Sequence, residues 1–351
     1  MKTPNFSFHK LSLNLLKLLV PFLFFAVCAT HAQKPLLRGS SDDEKNRTAP
    51  AKKSTFLSLG FGQSNYLGDL GGNDGSGKGF FYDHNFKKRT FFYGLSLSHL
   101  RREVVGLRLE YTWGKISGSD QDVTYRDKGD LSYYRLRRNL DFQSKISELS
   151  LNTICFPFKI FPAQYGIHHW YFQPYVGIGI GFFSFNPQGT YYDEIADDLI
   201  WVDLHPLRTE GQGMQEYPSR KPYRLTQWNM PFTLGLSYAL GYKTSMAFEF
   251  CGRKLFTDYL DDVSTNYIDP NLFGKYLQAE DASVARSVNN KSNLINPDMP
   301  YLPGEQRGNP EKNDFYYSFN VKLLIQINKT KSGVRPAKKS FYKYDDLELC
   351  F

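Results

Sequence analysis

Ser98, His99 and Glu103 lie within one short stretch and are the residue types of a nucleophile, a base and an acid. Nucleophilic catalysis needs the three held together on one surface. None of the chain's seven histidines falls in a His-Glu-x-x-His pattern, and no Gly-x-Ser-x-Gly or Cys-x-x-Cys occurs. A second candidate is the run from Thr257 to Ser264, where Asp258, Asp261 and Asp262 could suggest a calcium loop. It lacks the alternating oxygen ligands and the turn glycine of one. These carboxylates are expected instead to accept backbone N–H groups and so order a long loop. No cofactor and no catalytic residue is assigned.

The remaining chemistry belongs to single charges set among apolar residues: Arg108, Glu110, Glu148, Glu249, Arg253 and Lys322, three of each sign. Their positions depend on the elements that carry them. Val105, Leu107, Leu109, Tyr111 and Trp113 alternate with Gly106, Arg108, Glu110, Thr112 and Gly114, a period of two over about ten residues. Seven further segments match this template, centred on Leu59, Leu95, Leu151, Ile178, Leu234, Phe248 and Val321. Ten alternating residues are the length of a tilted membrane-crossing strand. Aromatics flank the segments at Phe91 to Tyr93, Trp170 to Phe172, Trp228 and Phe315 to Tyr317, where amphipathic rings prefer the membrane boundary.

The fold class predicted is all-β, an eight-stranded antiparallel transmembrane β-barrel with short periplasmic turns and long extracellular loops. The connections support it, running long, short, long, intermediate, long, short, long. The short ones are 101–103 and 241–243, the intermediate one is 159–169, and the long ones span about 65–89, 116–142, 184–227 and 257–314. A charge facing lipid at the midplane costs about 2 to 4 kcal/mol, so the six charged residues must face the lumen. Eight strands leave an interior that side chains fill, and a plugged barrel with paired charges is expected rather than a pore. Ser98, His99 and Glu103 then fall at a periplasmic turn, the wrong side for a barrel that modifies outer lipids.

The termini set the compartment. Lys2, Lys10 and Lys17 precede an apolar run from Leu18 to Val27 and the small-residue ending Thr30-His31-Ala32, which reads as a signal peptide over 1–32. Residues 33–53 read as a disordered basic linker, 54–328 as the barrel and 329–351 as a basic periplasmic tail. The formal net charge of +8 sits in these terminal segments and leaves the barrel nearly neutral, so nucleic acid is excluded as a partner and outer-membrane lipid is the expected surroundings. Cys155, Cys251 and Cys350 remain after cleavage. The first two are expected to be packing residues, and Cys350 is the candidate for a bond to a partner.

Several stretches also resemble one family. Gly62-Gln63-Ser64-Asn65-Tyr66-Leu67-Gly68-Asp69-Leu70 is similar to the opening strand and loop of PorG-like barrels of the Bacteroidota type IX secretion system. Pro174-Tyr175-Val176-Gly177-Ile178-Gly179 with Phe185-Asn186-Pro187-Gln188-Gly189 looks like the family's fifth strand and loop. Thr209-Glu210-Gly211-Gln212-Gly213, the run from Arg253 to Ser264, and Arg307-Gly308-Asn309 resemble its distinctive stretches. The resemblance covers about residues 55–327. It implies a non-enzymatic outer-membrane component that associates with a periplasmic ring, built from a lipoprotein and its partner, in protein export and gliding. An outer-membrane enzyme acting on lipid or peptide, a surface adhesin and a passive channel are the competing readings.

Overall fold

The computed structural model describes residues 53–70, 90–122, 131–160, 172–241 and 243–328. The signal segment, the linker up to residue 52 and the tail with Cys350 lie outside these residues.

Nine strands are present among the described residues: β1 (Lys53–Leu67), β2 (Thr90–Arg101), β3 (Val105–Ser119), β4 (Asp141–Cys155), β5 (Phe172–Asp193), β6 (Asp198–Asp203), β7 (Thr226–Ala239), β8 (Thr244–Leu255) and β9 (Phe315–Gln326). Every pairing is antiparallel. The order β4-β3-β2-β1-β9-β8-β7-β5, with β4 also paired to β5, is a closed ring of eight. The expected barrel is thus present, with β6 as an addition that pairs only with the far end of β5.

Closure follows from what the alternating pattern demands. In hydrocarbon every strand N–H and C=O needs a partner, and only a ring without edges supplies all of them. The pattern then sorts the faces. In β1, Leu59 is 60% exposed while its neighbour Ser58 is 1% exposed. Leu97, Leu109, Leu151, Ile180, Leu234, Phe248 and Leu323 continue that exposed apolar band around the barrel. An apolar belt of this extent on a closed barrel is a membrane-facing surface. Phe61, Phe91, Tyr93 and Trp113 stack side by side along one rim of it, while Phe92 turns inward and is buried.

The two ends of the barrel differ. At one end β2 passes into β3 through a tight turn in which Arg102 and Glu103 both take positive φ, 54° and 59°, the type I′ geometry that matches strand twist. The β7–β8 turn is closed by Leu240 and Gly241, whose N–H groups both donate to the Thr244 carbonyl at 3.0 Å. At the other end β3 and β5 run on past the apolar belt. The connections there are ordered by the helices Leu131–Arg138 and Ala279–Asn289 and by the β5–β6 hairpin, in segments where the sequence pattern indicates only loop.

Apolar clusters fill both mouths. Leu100, Ile154, Phe156, Ala247 and Leu324 pack together at the short-turn end. At the long-loop end, Phe92, Ile116, Phe142 and Phe183 of the wall close on Leu260 and Val263, which descend from the β8–β9 connection. Above them Leu204, Met214, Ile268, Phe273 and Ala285 form a separate core within the loops.

Candidate functional site

The lumen holds the six charges that parity assigned to it, arranged in two layers. In the lower layer Arg108 Nη1 lies 2.6 Å from Glu249 Oε1 and 3.8 Å from Glu110 Oε2. Lys322 Nζ lies 2.6 Å from Glu110 Oε1 and 2.6 Å from Glu249 Oε2. The Tyr175 hydroxyl donates to Glu249 as well, and its ring stands 5.6 Å from the Arg108 guanidinium. In the upper layer Arg253 Nε donates to Glu148 at 3.1 and 3.2 Å, and Arg253 Nη1 donates to Ser318 Oγ at 3.0 Å. Glu148 also accepts from Asn229 Nδ2 at 2.6 Å and from the Tyr316 hydroxyl at 2.8 Å. The Arg253 guanidinium also stands 5.4 and 5.1 Å from the ring centres of Phe92 and Tyr316.

Three cations and three carboxylates therefore neutralise one another in the barrel interior. The strand N–H groups are already used in the ladder, so the carboxylates are satisfied by side chains, while Arg253 Nη1 also reaches the Cys251 carbonyl at 3.3 Å. The pairing expected across the lumen is present, and with an apolar cluster at either mouth it makes the barrel a plugged cylinder. Cys155 and Cys251 are both buried within strands, as packing residues are expected to be.

The Ser98, His99 and Glu103 set does not assemble. Ser98 and His99 are neighbours on one strand and point to opposite faces: the buried Ser98 hydroxyl accepts from Arg108 Nε at 3.2 Å, while the exposed His99 Nδ1 lies 3.0 Å from Thr55 Oγ1. Glu103 is turned to Ser54, whose hydroxyl donates to it at 3.2 Å.

A second network lies in the cap at the long-loop end, and here, of the three aspartates of the Thr257–Ser264 run, Asp261 accepts backbone N–H groups as expected, while Asp262 is held by side-chain hydroxyls instead. Asp261 accepts from the N–H of Leu70 and from that of Val263, each at 3.0 Å. Asp262 accepts from the Tyr223 hydroxyl at 2.7 Å and from Thr209 Oγ1. Asp258 is buried beside them. Their partners come from distant segments that no sequence pattern joins. Glu210 accepts from the N–H groups of Ser264 and Thr265 at 2.9 and 3.0 Å and pairs with Arg307 Nη1 at 2.9 Å. Arg307 Nη1 also donates to the Asp262 carbonyl at 2.6 Å. Asp69 accepts from the Asn309 N–H at 2.6 Å, and Asp314 accepts from that of Leu260 at 2.8 Å. Arg138 forks onto both oxygens of Asp120 at 2.8 Å and reaches the carbonyls of Asp69 and Arg307.

Gly308 marks the tightest crossing. A Cβ there would stand 2.5 Å from Asp69 Oδ2 and 2.6 Å from the Ser264 nitrogen, so only glycine lets the three segments meet. Four stretches that carried the family resemblance, around Asp69, Glu210, Asp262 and Arg307, are thus one buried assembly. Carboxylates outnumber guanidiniums in it, and burial pushes Asp258 up to about 8 and Asp262 up to about 6, the latter held back by Arg307. Asp261 and Asp314 are raised in the same way, by burial first and then by a neighbouring carboxylate.

No protein-family model and no curated protein matches the chain. Solved structures similar to it include Ail, the attachment invasion locus protein of Yersinia pestis, at 6% sequence identity and a TM-score of 0.34, with 79% of this chain and 99% of that chain covered. Neisserial surface protein A aligns at 9% identity and a TM-score of 0.33 over 79% and 99% of the two chains. A major outer membrane protein from Thermus thermophilus aligns at 12% identity and a TM-score of 0.31 over 78% and 100%. At such scores the barrel assignment rests on the strand pairing and the apolar belt alone. On those grounds the chain has the fold of an eight-stranded outer-membrane β-barrel.

Proposed function

We propose that this barrel is a non-enzymatic component of the type IX protein secretion machinery, anchored in the outer membrane and associated through its short-turn end with a periplasmic ring formed by a lipoprotein and its partner. The observation that carries the reading is the convergence of the resembling stretches. Residues near Asp69, Glu210, Asp262 and Arg307 are far apart in the chain yet bind one another in a single buried cap. A cap locked by segments so far apart in the chain suits a protein whose shape matters, and a lumen filled by paired charges suits a scaffold better than a conduit.

In this reading the signal peptide over 1–32 directs export, the long loops face outward, and the short turns, the basic linker and the tail 329–351 face the ring. Cys350 belongs to that tail and is the residue available for a bond to the ring. The test is an affinity pull-down of tagged protein from native outer membranes, after heat-modifiable gel migration has confirmed a folded barrel. Co-purification of a periplasmic lipoprotein with its partner, lost on deletion of 329–351, is the expected result. A barrel recovered alone contradicts the reading.

A further inference from the structure

The β5–β6 hairpin is built unlike the rest of the surface. β5 continues for eleven residues beyond Phe182, the last exposed aromatic of its membrane segment, which is about 35 Å of strand. The tip therefore stands clear of the lipid. It is also braced: Asp193 Oδ1 accepts from the N–H groups of Ile195 and Ala196 at 2.9 and 3.3 Å, Asp197 takes φ 52°, and the Tyr192 hydroxyl donates to Asp197. What this rigid tip displays is Ile195, at 98% exposure.

Behind it, Tyr192 faces Leu199 across the hairpin and Thr190 faces Trp201, so Tyr192, Leu199 and Trp201 share one face. They are 54, 61 and 42% exposed. The opposite face, with Tyr191 and Val202, packs on the loop core and fixes the hairpin in place. β6 pairs with β5 on one side, and among the described residues no strand pairs with its other edge. Natural edge strands are usually guarded by Lys or Pro, and β6 has neither. The hairpin's own charges are all acidic: Asp193, Glu194, Asp197, Asp198 and Asp203, none of which forms an ion pair among the described residues, and Lys115 Nζ of β3 stands 5.9 Å from the Trp201 ring.

We infer that the outer edge of β6 is a docking strand for an extended polypeptide segment in which Lys or Arg alternates with apolar residues. Strand addition supplies main-chain hydrogen bonds, and Leu199, Trp201 and Ile195 supply the apolar anchors, of the residue kinds that dominate interfaces. The carboxylates select basic residues in the incoming chain and repel a second copy of the same hairpin. This site lies on the loop side of the barrel and does not depend on the secretion-system reading.

The test uses the full chain in lipid nanodiscs and a fluorescent synthetic peptide that alternates Lys with Val, read by anisotropy. Two control peptides replace Lys by Glu or place Pro at the centre. The Lys peptide is expected to bind at least about tenfold more tightly than either control, and to weaken as salt is raised. Replacing Leu199 and Trp201 together by Asn is expected to weaken it about tenfold while heat-modifiable migration stays unchanged. Glu194→Gln with Asp198→Asn is expected to flatten the salt dependence. Equal binding of all three peptides, or full binding by the Leu199→Asn and Trp201→Asn protein, overturns the proposal. So does a hairpin-dependent dimer of the chain on cross-linking, or quenching of Trp201 by brominated lipid.

Discussion

The lumen and the cap both bury many charges, and they neutralise them in different ways. In the lumen, Arg108, Arg253 and Lys322 meet Glu110, Glu148 and Glu249 side chain to side chain. In the cap, Asp120, Glu210, Asp258, Asp261, Asp262 and Asp314 are buried with the guanidiniums of Arg138 and Arg307, and most of these carboxylates are held by backbone N–H groups as well. The cause is the backbone. A barrel strand spends its donors on its neighbours, whereas an irregular loop has donors left over, and a carboxylate is their natural acceptor. One consequence is that the lumen should respond to loss of a partner charge and the cap to loss of a proton.

The strongest way to break this contrast is in the lumen. Glu148→Leu strands Arg253, which has no other carboxylate contact among the described residues, and is expected to cost about 3 to 5 kcal/mol in urea unfolding from lipid vesicles. Adding Arg253→Leu should return most of that loss, because a matched apolar pair replaces a matched ionic one. No recovery in the double variant contradicts the paired-charge account. Next in size, Leu109→Arg puts a charge on the lipid face of β3 and is expected to cost about 2 to 4 kcal/mol in the same assay. A neutral effect would mean that this face does not meet hydrocarbon.

The cap should yield locally. Arg307→Met leaves Glu210 with only its N–H and hydroxyl partners and is expected to weaken the cap by about 1 to 3 kcal/mol. Hydrogen exchange at the Ser264 and Thr265 amides, which Glu210 holds, would speed up, while amides of β3 keep their protection. Equal loss in both places would mean that cap and barrel open as one unit. The smallest effect is the pH response. Asp258 and Asp262 hold a proton more tightly when folded than when unfolded, with folded values of about 8 and about 6. Their contribution is therefore fully present below the unfolded carboxylate range and is lost as pH rises through 6 to 8. Cap protection should fall from pH 5 to pH 8.5 after correction for intrinsic exchange, and Asp262→Asn should flatten the lower part of that fall. Protection that rises over this range contradicts the assignment.

Much of the barrel was legible because a closed sheet in lipid forces a period of two on every strand, and residues such as Leu107, Arg108, Leu109 and Glu110 display it without interruption. The lumen charges followed from parity alone. The β5–β6 hairpin was not legible for a local reason: Leu199-Ile200-Trp201-Val202 is a continuous apolar run, and Pro187 within its partner strand reads as a stop. Pro187 is tolerated there, and its carbonyl accepts from the Leu204 N–H at 2.9 Å. The aspartates of the 257–264 run could be assigned a loop-ordering role, since carboxylates favour nearby N–H groups. Their partners Asp69, Glu210, Arg307 and Asp314 could not, because Asp69 meets Asn309 across 240 residues of chain and no local pattern encodes such a meeting.

Planar-bilayer recording of the purified full chain tests the central claim most directly, because a barrel stoppered by two apolar clusters and a balanced set of charges should carry no current. The account predicts a quiet bilayer, with no single-channel steps at any applied voltage that the membrane itself withstands. Steady, uniform steps from the unaltered protein would contradict it and return the lumen to the channel reading.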